Sequence, residues 1–144
     1  MMKVLSSQRG IAAVEFLIVL PLLLTILLAV TEFGQAFITF NTLNKLVHNG
    51  VRYATSDIQG TSSYDQIADV SKIKNIVVYG KSAPTDGDSV LVEGLSVDDV
   101  SVAHSSGYVT VSVDYSYSPI SSFLPTSLDL YFPLDTSAVM RTLP

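Results

Sequence analysis

The stretch Gln8-Arg9-Gly10-Ile11-Ala12-Ala13-Val14-Glu15-Phe16 opens an apolar run that continues to Val30. The twenty residues 11–30 match the roughly 20 that a helix needs to cross a hydrocarbon core of about 30 Å. This segment therefore predicts a helix that spans membrane lipid. It also places one carboxylate, that of Glu15, within the first turns of the span.

Glu15 needs an explanation because a carboxylate near the middle of a bilayer costs about 2.5 to 3.5 kcal/mol on insertion scales. One interpretation is a tolerated polar residue near a helix end, whose side chain reaches toward the interface. The other is a functional carboxylate, since ionisable residues inside membranes are rare and usually functional. The basic residues that precede the span favour the functional interpretation.

Basic residues on either side of the span predict its orientation. Lys3 and Arg9 precede it, and the next basic residue is Lys45. Positive charge concentrates on the cytoplasmic side, so we expect a cytoplasmic N-terminus and an extracytoplasmic C-terminal domain, in a single-pass protein of the inner (cytoplasmic) membrane. The apolar run exceeds the core of a secretory signal peptide, and no clear small-x-small cleavage site follows it, so we expect the run to be retained.

The residues around Gly10 resemble a type IV prepilin processing site, which a dedicated peptidase cuts after a glycine on the cytoplasmic side. The resemblance implies a cut between Gly10 and Ile11, with Glu15 at the fifth position of the mature chain, where pilins and pseudopilins carry their glutamate. The new amine of Ile11 would be mostly protonated near neutrality, since the ordinary pKa of such an amine is about 8. A buried carboxylate needs a partner. We therefore expect Glu15 to register against the Ile11 ammonium of a neighbouring subunit.

A wider set of residues is similar to the TadE-like family, whose members are minor pilins or pseudopilins of tight-adherence (Flp, type IVb) pilus systems. The similar stretches are Arg9-Gly10 with Ala13-Val14-Glu15-Phe16, Leu20-Pro21-Leu22-Leu23-Leu24, Glu32-Phe33-Gly34-Gln35-Ala36-Phe37, Gly50-Val51-Arg52-Tyr53-Ala54 and Ser137-Ala138-Val139-Met140-Arg141. The resemblance implies three kinds of protein partner: the prepilin peptidase, other pilin or pseudopilin subunits, and the inner-membrane pilus assembly machinery. It also implies a role in adhesion, biofilm formation or secretion.

The chain is expected to comprise four segments. These are a cytoplasmic prepilin leader (1–10), a transmembrane and filament-core helix (11–30), an amphipathic helical stalk (31–55) and an extracytoplasmic α+β domain (56–144). From Thr31 onward six basic residues face twelve acidic ones, a net charge of −6, which does not favour nucleic acid as a partner. The chain contains no cysteine, so a disulfide framework and thiolate chemistry are excluded.

Beyond the span, apolar residues recur at steps of three and four, which predicts a continuing helix with one apolar stripe. The stripe comprises Phe33, Ala36, Phe37, Phe40, Leu43, Val47, Val51 and Ala54. It can pack against the protein's own C-terminal domain or against other subunits, and both can hold at different heights along the helix. Pro21 lacks an amide hydrogen and is expected to kink the helix, either incidentally or as part of filament packing.

The C-terminal part predicts a second helix and then a sheet. Ser63 and Gln66 fit a capping box for a helix that ends before Gly80. Alternating patterns predict strands at 90–92, 97–103 and 108–117, a hairpin turn at Ser105-Ser106-Gly107, and one or two strands within 128–132 and 136–140. The predicted fold class is α+β, with a long N-terminal helix, a short second helix and an antiparallel sheet of about four strands. This arrangement resembles that of pilins.

No pattern indicates catalysis, so we expect a protein that is not an enzyme and has no catalytic residue, cofactor or metal. His48 and His104 have no partner at metal-ligand spacing, and Asp86-Gly87-Asp88 lacks the further ligands of a calcium loop. Asp98 and Asp99 are expected on opposite faces of a strand, too far apart for joint acid/base work. Four tyrosines fit either a core or an adhesive face: Tyr108, Tyr115, Tyr117 and Tyr131.

The sequence therefore favours a structural and assembly subunit processed after Gly10. The alternative is a single-pass, membrane-anchored extracytoplasmic binding or adhesion module that is not cleaved. Cleavage between Gly10 and Ile11, and loss of assembly when the Glu15 carboxylate is removed, distinguish the two.

Overall fold

The computed structural model describes residues 5–56, 66–119 and 131–142, with side chains from residue 10 onward. Within these residues lie two helices, α1 (Leu5–Ser56) and α2 (Val70–Tyr79), a 3₁₀ turn (Val97–Asp99) and five strands. The strands are β1 (Val100–Ser105), β2 (Tyr108–Val113), β3 (Ser116–Tyr117), β4 (Phe132–Pro133) and β5 (Thr136–Arg141). The predicted α+β fold, with a long N-terminal helix, a short second helix and antiparallel strands, is confirmed.

Helix α1 continues for 52 residues, about 78 Å at a rise of 1.5 Å per residue. Its predicted apolar stripe divides into two parts. In the distal part, Leu43, Val47 and Val51 are fully buried. In the proximal part, Phe33 and Phe37 remain 69% and 67% exposed. The main apolar core therefore begins at Leu43 on this helix, and of the proximal stripe residues Ala36 is also buried.

The strands form two antiparallel sheets rather than one sheet of four strands. Strands β1, β2 and β5 form a three-stranded sheet with β2 in the centre, and β3 pairs with β4 in a separate two-stranded ribbon. On β2 the alternating residues Val109, Val111 and Val113 are buried, as the alternating sequence predicted. They pack with α1 and α2 into one apolar core.

The turn between β1 and β2 lies where the sequence predicted it. Ser106 and Gly107 both have positive φ, 52° and 76°, which is the backbone of the two-residue hairpin turn that matches strand twist. The register from this turn pairs Ser105 with Tyr108 and Val100 with Val113.

Gly50 sets how closely α1 approaches the rest of the core. A Cβ at this position would lie 2.6 Å from Cγ2 of Val77 on α2 and 3.4 Å from Cγ1 of Val111 on β2. Glycine therefore permits the helix backbone to contact both elements.

Helix α2 ends where predicted but begins later. Gly80 terminates it with φ 73°, a conformation that glycine adopts at little cost. Asp69 caps its first turn by accepting a hydrogen bond from the Ser71 amide (2.8 Å). The predicted capping box of Ser63 and Gln66 placed residues 66–69 inside the helix, which is wrong because Asp69 supplies the cap; Ser63 itself lies outside the described residues.

Two predicted strand segments adopt other structures. Residues 90–92 lie in a loop, because the Leu91 amide donates to the Val78 carbonyl at the end of α2 (2.9 Å). Residues 97–99 form the 3₁₀ turn rather than the start of β1, because Ser96 and Asp99 make a reciprocal capping box. The predicted strand 97–103 therefore begins only at Val100.

The long strand predicted at 108–117 is interrupted after Val113. The Asp114 amide donates to the Asp99 carbonyl (3.0 Å), and the Tyr115 carbonyl accepts from the Leu134 amide (2.7 Å). The chain passes from the main sheet to the ribbon between these two bonds, and within the ribbon Tyr117 pairs with Phe132. The final strands were predicted within 128–132 and 136–140; β5 occupies the second, Phe132 begins β4, and residues 128–130 lie outside the described residues.

Candidate membrane and assembly interface

The proximal part of α1 exposes a long apolar surface. Most of the large apolar side chains between residues 11 and 30 are exposed, and so are Phe33, Phe37 and Ile38 beyond them. By length and composition, this helix is one that could cross a membrane. This surface is consistent with a membrane-anchored, pilin-like protein.

The predicted processing site lies within the regular helix, near its N-terminal end. A Cβ at Gly10 would meet nothing within 4 Å, and Ile11 is largely exposed. Among the described residues, none therefore covers the peptide bond between Gly10 and Ile11.

Glu15 is exposed on the same helix. It follows Ile11 by four residues, a spacing that places two side chains on one side of a helix. Within the part of the chain that the structure describes, the Glu15 carboxylate has no hydrogen bond or ion pair. Its predicted partner belongs to another subunit, and the single chain leaves that prediction open.

Pro21 lies six residues after Glu15, inside α1. The hydroxyl of Thr25 donates to the Pro21 carbonyl (2.9 Å), one turn along the helix. The helical assignment continues through Pro21, and the kink expected there stays a prediction.

The first turn beyond the apolar run carries a contact to the C-terminal domain. The hydroxyl of Tyr117, on β3, donates to Oε2 of Glu32 on α1 (3.0 Å). Tyr117 is only 3% exposed. Its burial, and secondarily the bond to the Glu32 carboxylate, raise the pKa of Tyr117 to about 12.

The ring of Tyr117 also holds the other strand of the ribbon. Its centroid lies 5.2 Å from that of Phe132 on β4, with the rings tilted by 33°, within the range of favourable aromatic pairs. Both strands of the ribbon are thus fixed beside Glu32. Sequence reasoning missed this contact, although Glu32, as the first acidic residue after the apolar run, was a signal that could have pointed to it.

Next to the ribbon, a groove of about 730 Å³ opens between α1 and the chain segments around β3. Gln35, Ile38 and residues 91–94 line it, together with Tyr115, whose hydroxyl donates to the Glu93 carbonyl (2.8 Å). Burial first, and the charges of Glu93 and Asp99 second, raise the pKa of Tyr115. Across the described ranges, no three histidine or acidic side chains are placed to share a metal ion.

The remaining polar residues that the sequence singled out have structural surroundings. His48 is exposed, and His104 lies 3.5 Å from the Thr142 hydroxyl. Asp88 pairs with Lys81 and accepts from the Thr85 amide. These two contacts, led by that of Lys81, lower the pKa of Asp88. The expected separation of Asp98 and Asp99 on a strand is wrong, since both lie in the 3₁₀ turn that Asp99 caps.

The comparisons with known proteins concern the helix. The model of the TadE-like protein family matches residues 10–52, which runs from the predicted processing glycine almost to the end of α1. No curated protein and no solved structure matches the chain. The match contains Glu15, Pro21 and Glu32, and over residues 10–52 it confirms the resemblance to the TadE-like family found in the sequence.

Proposed function

We propose that the protein is a minor pilin or pseudopilin of a tight-adherence (type IVb) pilus. Its N-terminus lies in the cytoplasm, a prepilin peptidase cuts it between Gly10 and Ile11, and its C-terminal domain lies outside the cytoplasmic membrane. It then enters the pilus through its apolar helix, next to other pilin or pseudopilin subunits.

The observation that carries this proposal is the TadE-like helix with an exposed apolar surface and one exposed carboxylate. The family match over residues 10–52 supports a relation to Tad pili. An apolar helix surface of this length is compatible with lipid before assembly and with packed sister helices after it. Glu15 has no described partner in the single chain, which leaves its carboxylate available to a neighbouring Ile11 ammonium.

The role of Glu15 is tested by variants of the full chain expressed in cells with the complete pilus system. We expect Glu15→Ala and Glu15→Gln to reach the membrane in normal amounts but to be lost from the sheared pilus fraction by at least about tenfold, since a buried ion pair costs several kcal/mol when one partner is removed. Asp86→Asn is the matched control, because Asp86 is an exposed carboxylate on the distal domain. Equal incorporation of Glu15→Ala and the control would contradict the assembly role.

A further inference from the structure

The ribbon of β3 and β4 has a defined height on α1. Glu32, to which Tyr117 is bonded, is only two residues beyond Val30, the last residue of the apolar run. At the other end of the domain, the Thr55 hydroxyl contacts the sulfur of Met140 (3.2 Å). Glu32 and Thr55 are about 35 Å apart along the helix at 1.5 Å per residue, so the domain lies along residues 32–55 of α1 with its ribbon at the end next to the predicted membrane.

Strand directions place Tyr131 at that end of the ribbon. From Val111, which lies near Gly50, to Tyr117, which lies beside Glu32, the chain runs toward the predicted membrane. Strand β4 is antiparallel to β3, so it runs away from the membrane. Tyr131, which precedes Phe132, therefore lies about one strand residue, roughly 3.3 Å, nearer the membrane than the bonded tyrosine.

At this height Tyr131 is 67% exposed, on the same end of the domain as the exposed ring of Phe33. Tyrosine favours the membrane–water interface, where its ring contacts acyl chains and its hydroxyl reaches water and headgroups. The chain is acidic beyond residue 30, with a net charge of −6, which favours zwitterionic over anionic headgroups.

We propose that the β3–β4 ribbon docks on the outer surface of the bilayer, with Tyr131 inserted at the interface of zwitterionic lipid. The inference rests on the proposed membrane anchoring of α1. Docking would hold the domain in one orientation over the membrane until the helix leaves the lipid for assembly. Among the described tyrosines the other exposed one is Tyr108, which lies at the opposite end of the domain, where it pairs with Arg141.

The chain contains no tryptophan, so single-tryptophan variants of the full chain report position directly. Three are reconstituted at low protein-to-lipid ratio in phosphatidylcholine vesicles with brominated acyl chains: Tyr131→Trp for the ribbon, Tyr108→Trp as the matched exposed control, and Leu23→Trp for the helix. We expect strong quenching at 23, almost none at 108, and at 131 at least about twofold more quenching than at 108, with blue-shifted emission, as for an interfacial ring.

The reporters separate failure of the docking from failure of the anchor. Quenching at 23 with equal quenching at 131 and 108 would overturn the docking and leave the anchor in place. Lack of quenching at 23 would overturn the anchor and with it the docking. A third outcome is tryptophan emission at 131 that is insensitive to brominated lipid and shifts to the blue only as the protein-to-lipid ratio rises. It would assign this surface to a second copy of the chain and overturn the lipid proposal.

Discussion

The hydrogen bond between Tyr117 and Glu32 ties the C-terminal domain to α1 just beyond the predicted membrane span. Its donor is the neutral phenol, whose pKa is raised to about 12 by burial and by the acceptor carboxylate. The pKa of tyrosine in an unfolded chain is about 10. A raised folded-state pKa means that the bond's contribution to stability is complete below about pH 10 and is lost as the pH rises through 12.

We predict that Tyr117→Phe lowers the free energy of unfolding by about 1 to 2 kcal/mol, because the Glu32 carboxylate loses a donor. Chemical denaturation of the full chain in detergent micelles measures this change. The absorbance titration of the wild type minus that of the variant should show a phenol that ionises near pH 12. A difference titration centred near pH 10 would mean that the buried bond to Glu32 does not form.

Thr136 presents the opposite case, a buried hydroxyl without a partner among the described residues. Thr136→Val removes that hydroxyl and keeps the shape, so we predict that the free energy of unfolding rises by about 1 kcal/mol. Thr136→Ser is the matched control, since it keeps the hydroxyl and loses a buried methyl group, at a cost of about 1 kcal/mol. Both are measured by the same denaturation; destabilisation by the valine would show that the hydroxyl is bonded.

Packing between elements depends most sharply on Gly50. We predict that Gly50→Ala destabilises the fold by about 1 to 2 kcal/mol, because the clash with Val77 costs about 1 to 3 kcal/mol and the gain in helix propensity returns at most about 1 kcal/mol. Gly34→Ala, on the same helix with nothing within 4 Å of the added Cβ, should cause no loss. Equal midpoints for the two variants in chemical denaturation would contradict the close approach of α1 to α2.

Local patterns predicted those elements whose determinants are local. Apolar residues at steps of three and four predicted α1, Gly80 predicted the end of α2, and alternating valines predicted β2. The predictions were wrong where a polar residue caps a helix or turn at a position that the sequence pattern did not indicate. Residues 97–99 have the alternating pattern of a strand, but Ser96 and Asp99 cap them as a 3₁₀ turn. The cap of α2 was predicted at Ser63 and Gln66, and Asp69 supplies it instead.

Contacts between residues far apart in the chain could not be predicted from the sequence. Nothing local to Tyr117 indicates that its hydroxyl meets Glu32, 85 residues away, or that the predicted strand breaks at Asp114 to form a second sheet. The candidate processing and registration residues, in contrast, could be predicted from the sequence. Gly10, Ile11 and Glu15 follow from a local motif, and the single chain leaves their intersubunit roles as predictions.

At the scale of the whole molecule, an apolar helix surface is joined to a small acidic domain whose apolar core meets that helix from Leu43 onward. This division suits a subunit that passes from lipid to a filament, because the proximal helix carries no part of the domain's own core. The distal core can therefore remain folded while the proximal surface exchanges lipid for sister helices. In the proposed assembly Glu15 pairs with a free N-terminal amine at Ile11, which makes processing after Gly10 the central claim.

The decisive measurement is intact mass with N-terminal sequencing of the full protein purified from membranes, in cells with and without the prepilin peptidase. We predict a chain that begins at Ile11 when the peptidase is active and a chain that keeps residues 1–10 when it is absent. A chain that keeps residues 1–10 in cells with active peptidase would contradict pilin-type processing, and would favour an uncleaved, membrane-anchored binding module instead.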